Sequence, residues 1–315
     1  MAVSIGVDVG GTKVLAMAVD RTGRRIGNEA RRPTPTGQSP LLDTIVGVIT
    51  EVRASVGDDE AVAIGLGVPG LVDRDGRLAV GPNLPGITEV PFRSELEGRL
   101  SLPVQVDNDA NCATWAEVRL GAARGADEAF MVTLGTGIGG GIVTGGQLQR
   151  GAHGFAGEPG HMVVDPAGPP CPCGRRGCWE RFASGSGLGR LARDAAESGK
   201  GRRLVELAGH PEAVRGEHVT RAAQEGDAEA LEVFRQFGWW AALGIANLVN
   251  ILDPGIVVVG GGLVEAGEIV LSPIRAAFGD LVLAAEHRPE VPIVPAVLGG
   301  DAGAIGAALL GFERV

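Results

Sequence analysis

Residues 3–20 read Val-Ser-Ile-Gly-Val-Asp-Val-Gly-Gly-Thr-Lys-Val-Leu-Ala-Met-Ala-Val-Asp. Two apolar, β-branched-rich runs, Val3 to Val9 and Val14 to Asp20, flank Gly10-Gly11-Thr12-Lys13. That pattern predicts a β-hairpin whose turn is made of glycine. Asp8 puts a carboxylate at the strand end, followed by two residues without a Cβ, a hydroxyl and an ammonium. A nucleotide phosphate needs backbone N–H groups close by, which glycine permits, and its magnesium needs a carboxylate for the ion or its waters. Taken alone, the same turn serves equally as a hairpin with glycines for geometry.

A second copy changes the balance. Ala129 to Leu134 and Gly140 to Thr144 flank Gly135-Thr136-Gly137-Ile138-Gly139, so the strand, glycine turn, strand unit recurs, one per half. A third glycine turn, Gly260-Gly261-Gly262, ends the apolar strand Ile256 to Val259. Between these lie a loop from Pro33 to Pro40, a helical pattern from Leu41 to Val56 and a buried strand from Ala61 to Val68. A brief strand from Pro103 to Val106 leads to Asp109, placed to cap a helix over Ala110 to Leu120. Ser186 to Leu252 is helical almost throughout; Ile293 to Ala296 is a last strand and Ala302 to Leu310 a final helix.

The composition suits this reading. The 315 residues are enough for two domains, and 44% hydrophobic with 21% charged residues excludes disorder, collagen and coiled coil. Net charge is −10, from 28 Lys+Arg against 38 Asp+Glu, which disfavours nucleic acid and anionic membranes as partners. The apolar run Trp239 to Leu252 contains Asn247 and Asn250 and is too short to span a bilayer, so it reads as a buried helix. The N-terminal residues show no basic stretch, apolar core or cleavage site of a leader, which gives a cytoplasmic expectation. Glycine is in excess, 52 residues without a G-X-Y period, so many positions need close backbone approach or positive φ.

Three of the four cysteines fall together, Cys171, Cys173 and Cys178, with His161 shortly before them; Cys112 stands apart. One imidazole and three thiols form a closed tetrahedral set for a structural zinc. Buried free cysteines are the other reading.

The three glycine turns resemble the phosphate 1, phosphate 2 and adenosine elements of the sugar kinase, heat-shock protein and actin superfamily. Within it, DVGGTK, the NDAN of Asn108 to Asn111, GEPGH of Gly157 to His161 and CPCGRRGCWE of Cys171 to Glu180 resemble the ROK family of repressors, open reading frames and kinases. The likeness runs from about residue 4 to residue 310 and leans to its ATP-dependent glucokinases. It implies an α/β, two-domain actin-like ATPase (ribonuclease H-like) fold with an interdomain cleft. The expected domains are residues 1–108, joined by the C-terminal helix 301–315, and residues 109–300 with the zinc loop.

The resemblance also assigns roles. Asp109 becomes the base that takes a sugar hydroxyl proton during phosphoryl transfer, where spacing alone leaves helix capping open. Gly70, Asn83, Asn108, Glu158, His161 and Glu180 match sugar-binding positions; amides and carboxylates suit adjacent hydroxyls. Asp8, Gly10, Gly11, Thr12, Lys13, Gly135, Thr136, Gly137, Gly260, Gly261 and Gly262 fall to ATP and Mg2+, with Lys13 outside the catalytic set. Glucose is the expected acceptor; N-acetylmannosamine or fructose as acceptor and polyphosphate as donor are the rivals, CPCGRRGC weighing against the last. A family repressor is disfavoured by the charge and by the seven residues before Asp8, and a sugar sensor without DNA contact remains open. A homodimer or homotetramer is expected, with the helix around Trp239 as an interface candidate. Pro159 stands where the family often has an aliphatic residue, and a proline there is expected to reshape the loop carrying Glu158 and His161.

Overall fold

The computed structural model describes residues 2–57 and 60–315. The chain divides into two compact units. The first comprises the N-terminal stretch through Asp127, then Gly141–Gly157 and Val297–Val315; the second comprises Glu128–Gly140 and Glu158–Ala296.

The first unit opens with β1 (Val3–Val9), β2 (Lys13–Val19) and β3 (Arg25–Pro33), followed by α1 (Gln38–Val56) and β4 (Ala61–Val68). A small antiparallel sheet of β5 (Leu71–Val72), β6 (Leu78–Val80) and β7 (Thr88–Val90) comes next, then α2 (Phe92–Leu100), β8 (Val104–Asn108) and α3 (Asp109–Leu120). The main sheet has the order β3-β2-β1-β4-β8. β1 pairs antiparallel with β2 in register Val9↔Val14, and β4 and β8 continue in parallel.

Alternation along these strands decides which helix covers which face. Val3, Ile5, Val7 and Val9 pack with Leu41, Ile45 and Ile49 of α1. Truncating such a residue, Ile45→Ala for instance, costs about 2–5 kcal/mol. Leu15, Met17 and Val19 meet Ala304 and Ala308 on the other face. Those alanines belong to the C-terminal helix α10 (Ala302–Gly311). It runs so close to the sheet that a Cβ on Gly6 would lie 1.8 Å from the Ala304 carbonyl oxygen, and one on Gly65 1.6 Å from that of Ala307. Part of the glycine excess is thus the condition for a helix lying directly on strands.

β3 did not stand out in the sequence. Its residues are mostly polar and exposed, as suits an outermost strand facing water.

The second unit begins with β9 (Ala129–Leu134). β10 (Ile138–Thr144) starts in it and carries the chain to β11 (Gln147–Leu148), where it pairs as an antiparallel hairpin. The helices α4 (Glu180–Ala183), α5 (Gly185–Glu197), α6 (Arg202–Ala208), α7 (Gly216–Gln224) and α8 (Ala228–Leu252) come next, then β12 (Ile256–Gly260), α9 (Glu268–Leu281) and β13 (Ile293–Pro295). The sheet order is β11-β10-β9-β12-β13, with β12 parallel to both β9 and β13. The long helical stretch is cut three times, at Gly199, Gly209 and Gly226, each with positive φ. Apolar periodicity persists across such breaks because successive helices cover one core. Trp239 is exposed on α8, whereas Trp240 stacks on Phe182 with ring centroids 4.1 Å apart. Among the described residues no helix is long and apolar enough to cross a membrane.

Candidate active site

In the first unit the glycine turn is tight: the Gly10 amide donates to the Lys13 carbonyl at 2.8 Å. Thr34, just past β3, braces it by donating its hydroxyl to the Gly10 carbonyl (2.7 Å) and its amide to that of Thr12 (3.1 Å). Thr34 sits in a stretch that the sequence marks only as a loop, and no local pattern signals this support. Asn83 lies beside the turn, its carbonyl oxygen 3.3 Å from where a Gly11 Cβ would be.

Asp8 ends β1, and its carboxyl is pushed from 3.8 to about 7, first by burial, then by the negative charge of Asp109, with Lys13 pulling the other way. Two carboxylates therefore share one polar region opposite one ammonium. Burial also raises the Asp109 carboxyl, against the pull of the Ala110 backbone N–H. Such a set fits a divalent cation, whose charge favours both ionised forms.

The expectation that Asp109 caps its helix is corrected. The cap of α3 is Asn108, whose Oδ1 accepts from the amides of Ala110 (2.8 Å) and Asn111 (3.1 Å). Its Nδ2 donates to the Gly70 carbonyl at 3.1 Å. Asp109 is the first helical residue, with Oδ1 accepting from Ala110 N at 2.9 Å. Because Asn108 holds the helix end, Asp109 is left with its second oxygen for other work. Gly70 has φ 120°, and a Cβ there would meet the Val80 carbonyl, so this corner requires glycine.

In the second unit the turn at Gly135–Gly137 is fastened by residues about 50 positions downstream. The Gly185 amide donates to the Gly135 carbonyl (2.7 Å), and Ser186 Oγ donates to that of Thr136 (2.9 Å), so the start of α5 is tied to the turn. Gly261, with φ 87°, abuts the Leu134 carbonyl, which brings the third glycine turn beside the second. Gly260 ends β12, and Gly262 begins a short 3-10 turn.

The cysteine loop is a knuckle closed by Cys171 N to Arg175 O (2.8 Å) and Gly174 N to Cys171 O (3.0 Å). Ligand atoms of His161, Cys171, Cys173 and Cys178 lie within 4.8 Å of one another. His161 Nδ1 is 3.9 Å from Cys171 Sγ, and the Cys173 and Cys178 sulfurs are 3.5 Å apart. Tetrahedral zinc with ordinary Zn–S and Zn–N bonds gives ligand–ligand edges of about 3.5–3.8 Å, so the set fits the ion. The other nitrogen of His161 faces Glu158, 4.0 Å from its carboxylate. Glu180 Oε1 accepts from the Cys171 thiol at 3.0 Å, while Oε2 lies 2.8 Å from a Cβ built on Gly137. One carboxylate thus touches both the knuckle and the second glycine turn. Pro159 starts a 3-10 turn through His161, where its fixed φ belongs and no amide is needed. The proline presets the Glu158–His161 loop.

These sheets, each with a glycine turn after its first strand, define the α/β class of actin-like ATPases, the ribonuclease H-like arrangement. Comparison with known proteins narrows this. The chain matches the ROK family over residues 4–313 and belongs to it. A glucokinase of Streptomyces coelicolor is 39% identical over 99% of this chain and 98% of its own length. A glucokinase of Thermotoga maritima is 37% identical over 99% and 98%. The crystal structure of a ROK glucokinase from Streptomyces griseus, in complex with glucose and AMPPNP, superposes with a TM-score of 0.87 at 39% identity, covering 99% of this chain and all of that one.

Proposed function

We propose that the protein is an ATP-dependent glucokinase, transferring the terminal phosphoryl group of ATP to glucose to give glucose 6-phosphate. The observation that carries the reading is Asp109, a raised carboxyl at the first position of α3, relieved of capping by Asn108 and close enough to Asp8 for their charges to interact. A sugar hydroxyl is a weak nucleophile at neutral pH. Asp109 accepts its proton as the oxygen attacks phosphorus in line, and a carboxyl raised above its ordinary value is the better base for that step. Oδ1 is oriented by the Ala110 N–H, so Oδ2 takes the proton.

The reading assigns Gly70, Asn83, Asn108, Asp109, Glu158, His161 and Glu180 to the hexose. It assigns Asp8 and Gly10 to Lys13, Gly135 to Gly137 and Gly260 to Gly262 to the nucleotide. Mg2+ at Asp8 supplies charge neutralisation to the phosphates when bound. Zinc held by His161, Cys171, Cys173 and Cys178 fixes the imidazole, leaving its second nitrogen for a hydroxyl. A cytoplasmic homodimer or homotetramer without nucleic-acid or membrane partners completes the proposal.

The test is ADP release with Mg-ATP and, separately, glucose, mannose, fructose, N-acetylglucosamine and N-acetylmannosamine. Turnover dominated by glucose is the expected outcome. Dominance of another sugar overturns the acceptor, and no ADP release with any sugar overturns ATP as the donor, which turns the test to polyphosphate and then to sugar sensing.

A further inference from the structure

Glu117 is a carboxyl with no exposed surface, in the last turn of α3. Its Oε1 accepts from the backbone amides of Val297 (2.9 Å) and Leu298 (2.8 Å), and its Oε2 from that of Ala122 (2.7 Å). A carboxyl taken out of water is costly unless hydrogen-bonded, and three amides aimed at one group are a built receptor rather than an accident of packing. Gly121 agrees: a Cβ there would lie 2.0 Å from Glu117 Oε2, so the neighbouring backbone is shaped around the carboxyl.

The segment that Glu117 holds leads to the site. Val297 and Leu298 precede the turn Gly299–Asp301, which opens α10. A Cβ on Gly300 would stand 4.0 Å from Lys13 Nζ, and one on Gly303 2.7 Å from Asp8 Cγ, so this segment forms the wall behind Asp8. Farther along, Gly306 fits against the Cys112 carbonyl of α3, where a Cβ would come within 1.7 Å. α3 therefore carries Asp109 at its start, receives α10 in its middle and grips the lead-in to α10 through Glu117.

We infer that Glu117 is a positioning residue that fixes the 297–303 segment against α3 and thereby sets Asp8 and Lys13 relative to Asp109. It touches no substrate. Its effect passes through the wall behind Asp8, so it falls on nucleotide binding and turnover more than on sugar binding. The functional part of this inference rests on the kinase reading; the clasp itself does not.

The experiment uses Glu117→Gln and Gly121→Ala in the full-length protein. Gln keeps the shape but offers a donor where an amide already donates, and the alanine methyl displaces the carboxyl without removing it. Three quantities are read: hydrogen exchange at the amides of residues 122, 297 and 298, dissociation constants for AMPPNP and glucose, and kcat. Faster exchange at these amides is expected, with AMPPNP binding weakened about fivefold, glucose binding within about twofold and kcat lowered about tenfold, since misplacement by an ångström can cost ~10²-fold. Unchanged exchange in both variants overturns the clasp. Faster exchange with unchanged AMPPNP affinity and kcat, whatever the melting temperature, leaves a purely structural residue and overturns the positioning role. If Glu117→Gln does not fold, Gly121→Ala, which keeps Glu117 itself, carries the test. Wild-type protein that releases no ADP with any sugar sinks the ATP-dependent kinase reading, while exchange and AMPPNP affinity still decide this one.

Discussion

The first and second glycine turns share a local design, yet they are supplied differently. The first has its own acidic residue, Asp8, at the preceding strand end, beside Asp109 and Lys13. The second has no acidic residue between Leu134 and Ile138 and takes its carboxylate from Glu180, which also binds Cys171, while the start of α5 fastens its carbonyls. A repeated backbone turn thus, under the kinase reading, places amides for phosphate oxygens, and the charge around it is added separately in each half. Under the kinase reading, metal and proton chemistry belong to the first turn, and the second grips.

That contrast breaks most sharply at Asp109. Asp109→Asn keeps the size and removes the base, so kcat should fall at least ~10²-fold with sugar affinity little changed. Near wild-type turnover would take Asp109 out of the role.

Asp8→Asn is expected to lower kcat/KM at least ~10-fold through loss of the metal's anchor. It also has a stability signature of known sign. The Asp8 carboxyl is raised from 3.8 to about 7 in the folded chain, so the native state holds an extra proton between those values. Stability of the unliganded protein from this group is present below about pH 4 and lost as pH rises to about 7. Asp8→Asn should therefore raise the unliganded melting temperature at pH 8 and much less at pH 5. Equal shifts at both pH values would show that Asp8 is not held in its acid form.

The second turn should respond to the cysteine loop, as the first should not. Metal analysis should find about one zinc per chain, and chelation should lower the melting temperature by ~5 °C or more. Metal-free protein of unchanged stability would remove the zinc. The smallest expected effect is Gly137→Ala, whose methyl presses on Glu180 and should raise KM for ATP about three- to tenfold. An unchanged KM would separate Glu180 from the nucleotide.

Much of the fold was legible in residues. β1, β4 and β9 match the apolar runs residue for residue because buried strands are dominated by apolar side chains, interrupted only by single small or polar residues such as Gly6, Asp8, Gly65, Gly67 and Thr133. β3 escaped, since an outer strand needs no apolar face. The small sheet β5–β7 escaped because two- and three-residue strands carry no period. At the site, glycine turns and the cysteine cluster were visible as local patterns. Choices between neighbours stayed hidden, such as Asn108 rather than Asp109 as cap, and so did partners far along the chain. Glu117 has the appearance of a solvated helix charge; only its place on the Ala110, Thr114, Gly121 stripe hinted that it points inward.

The packing around Trp179 has an optical consequence. The protein has no tyrosine and four tryptophans, so its near-ultraviolet emission comes from indole with no tyrosine background. Trp179 directly succeeds Cys178, is fully buried against Gly244, and donates Nε1 to the Trp240 carbonyl at 2.8 Å. Its emission colour and quenching would register any loosening of the cysteine knuckle without a label, giving the chain a built-in fluorophore for its own cysteine loop.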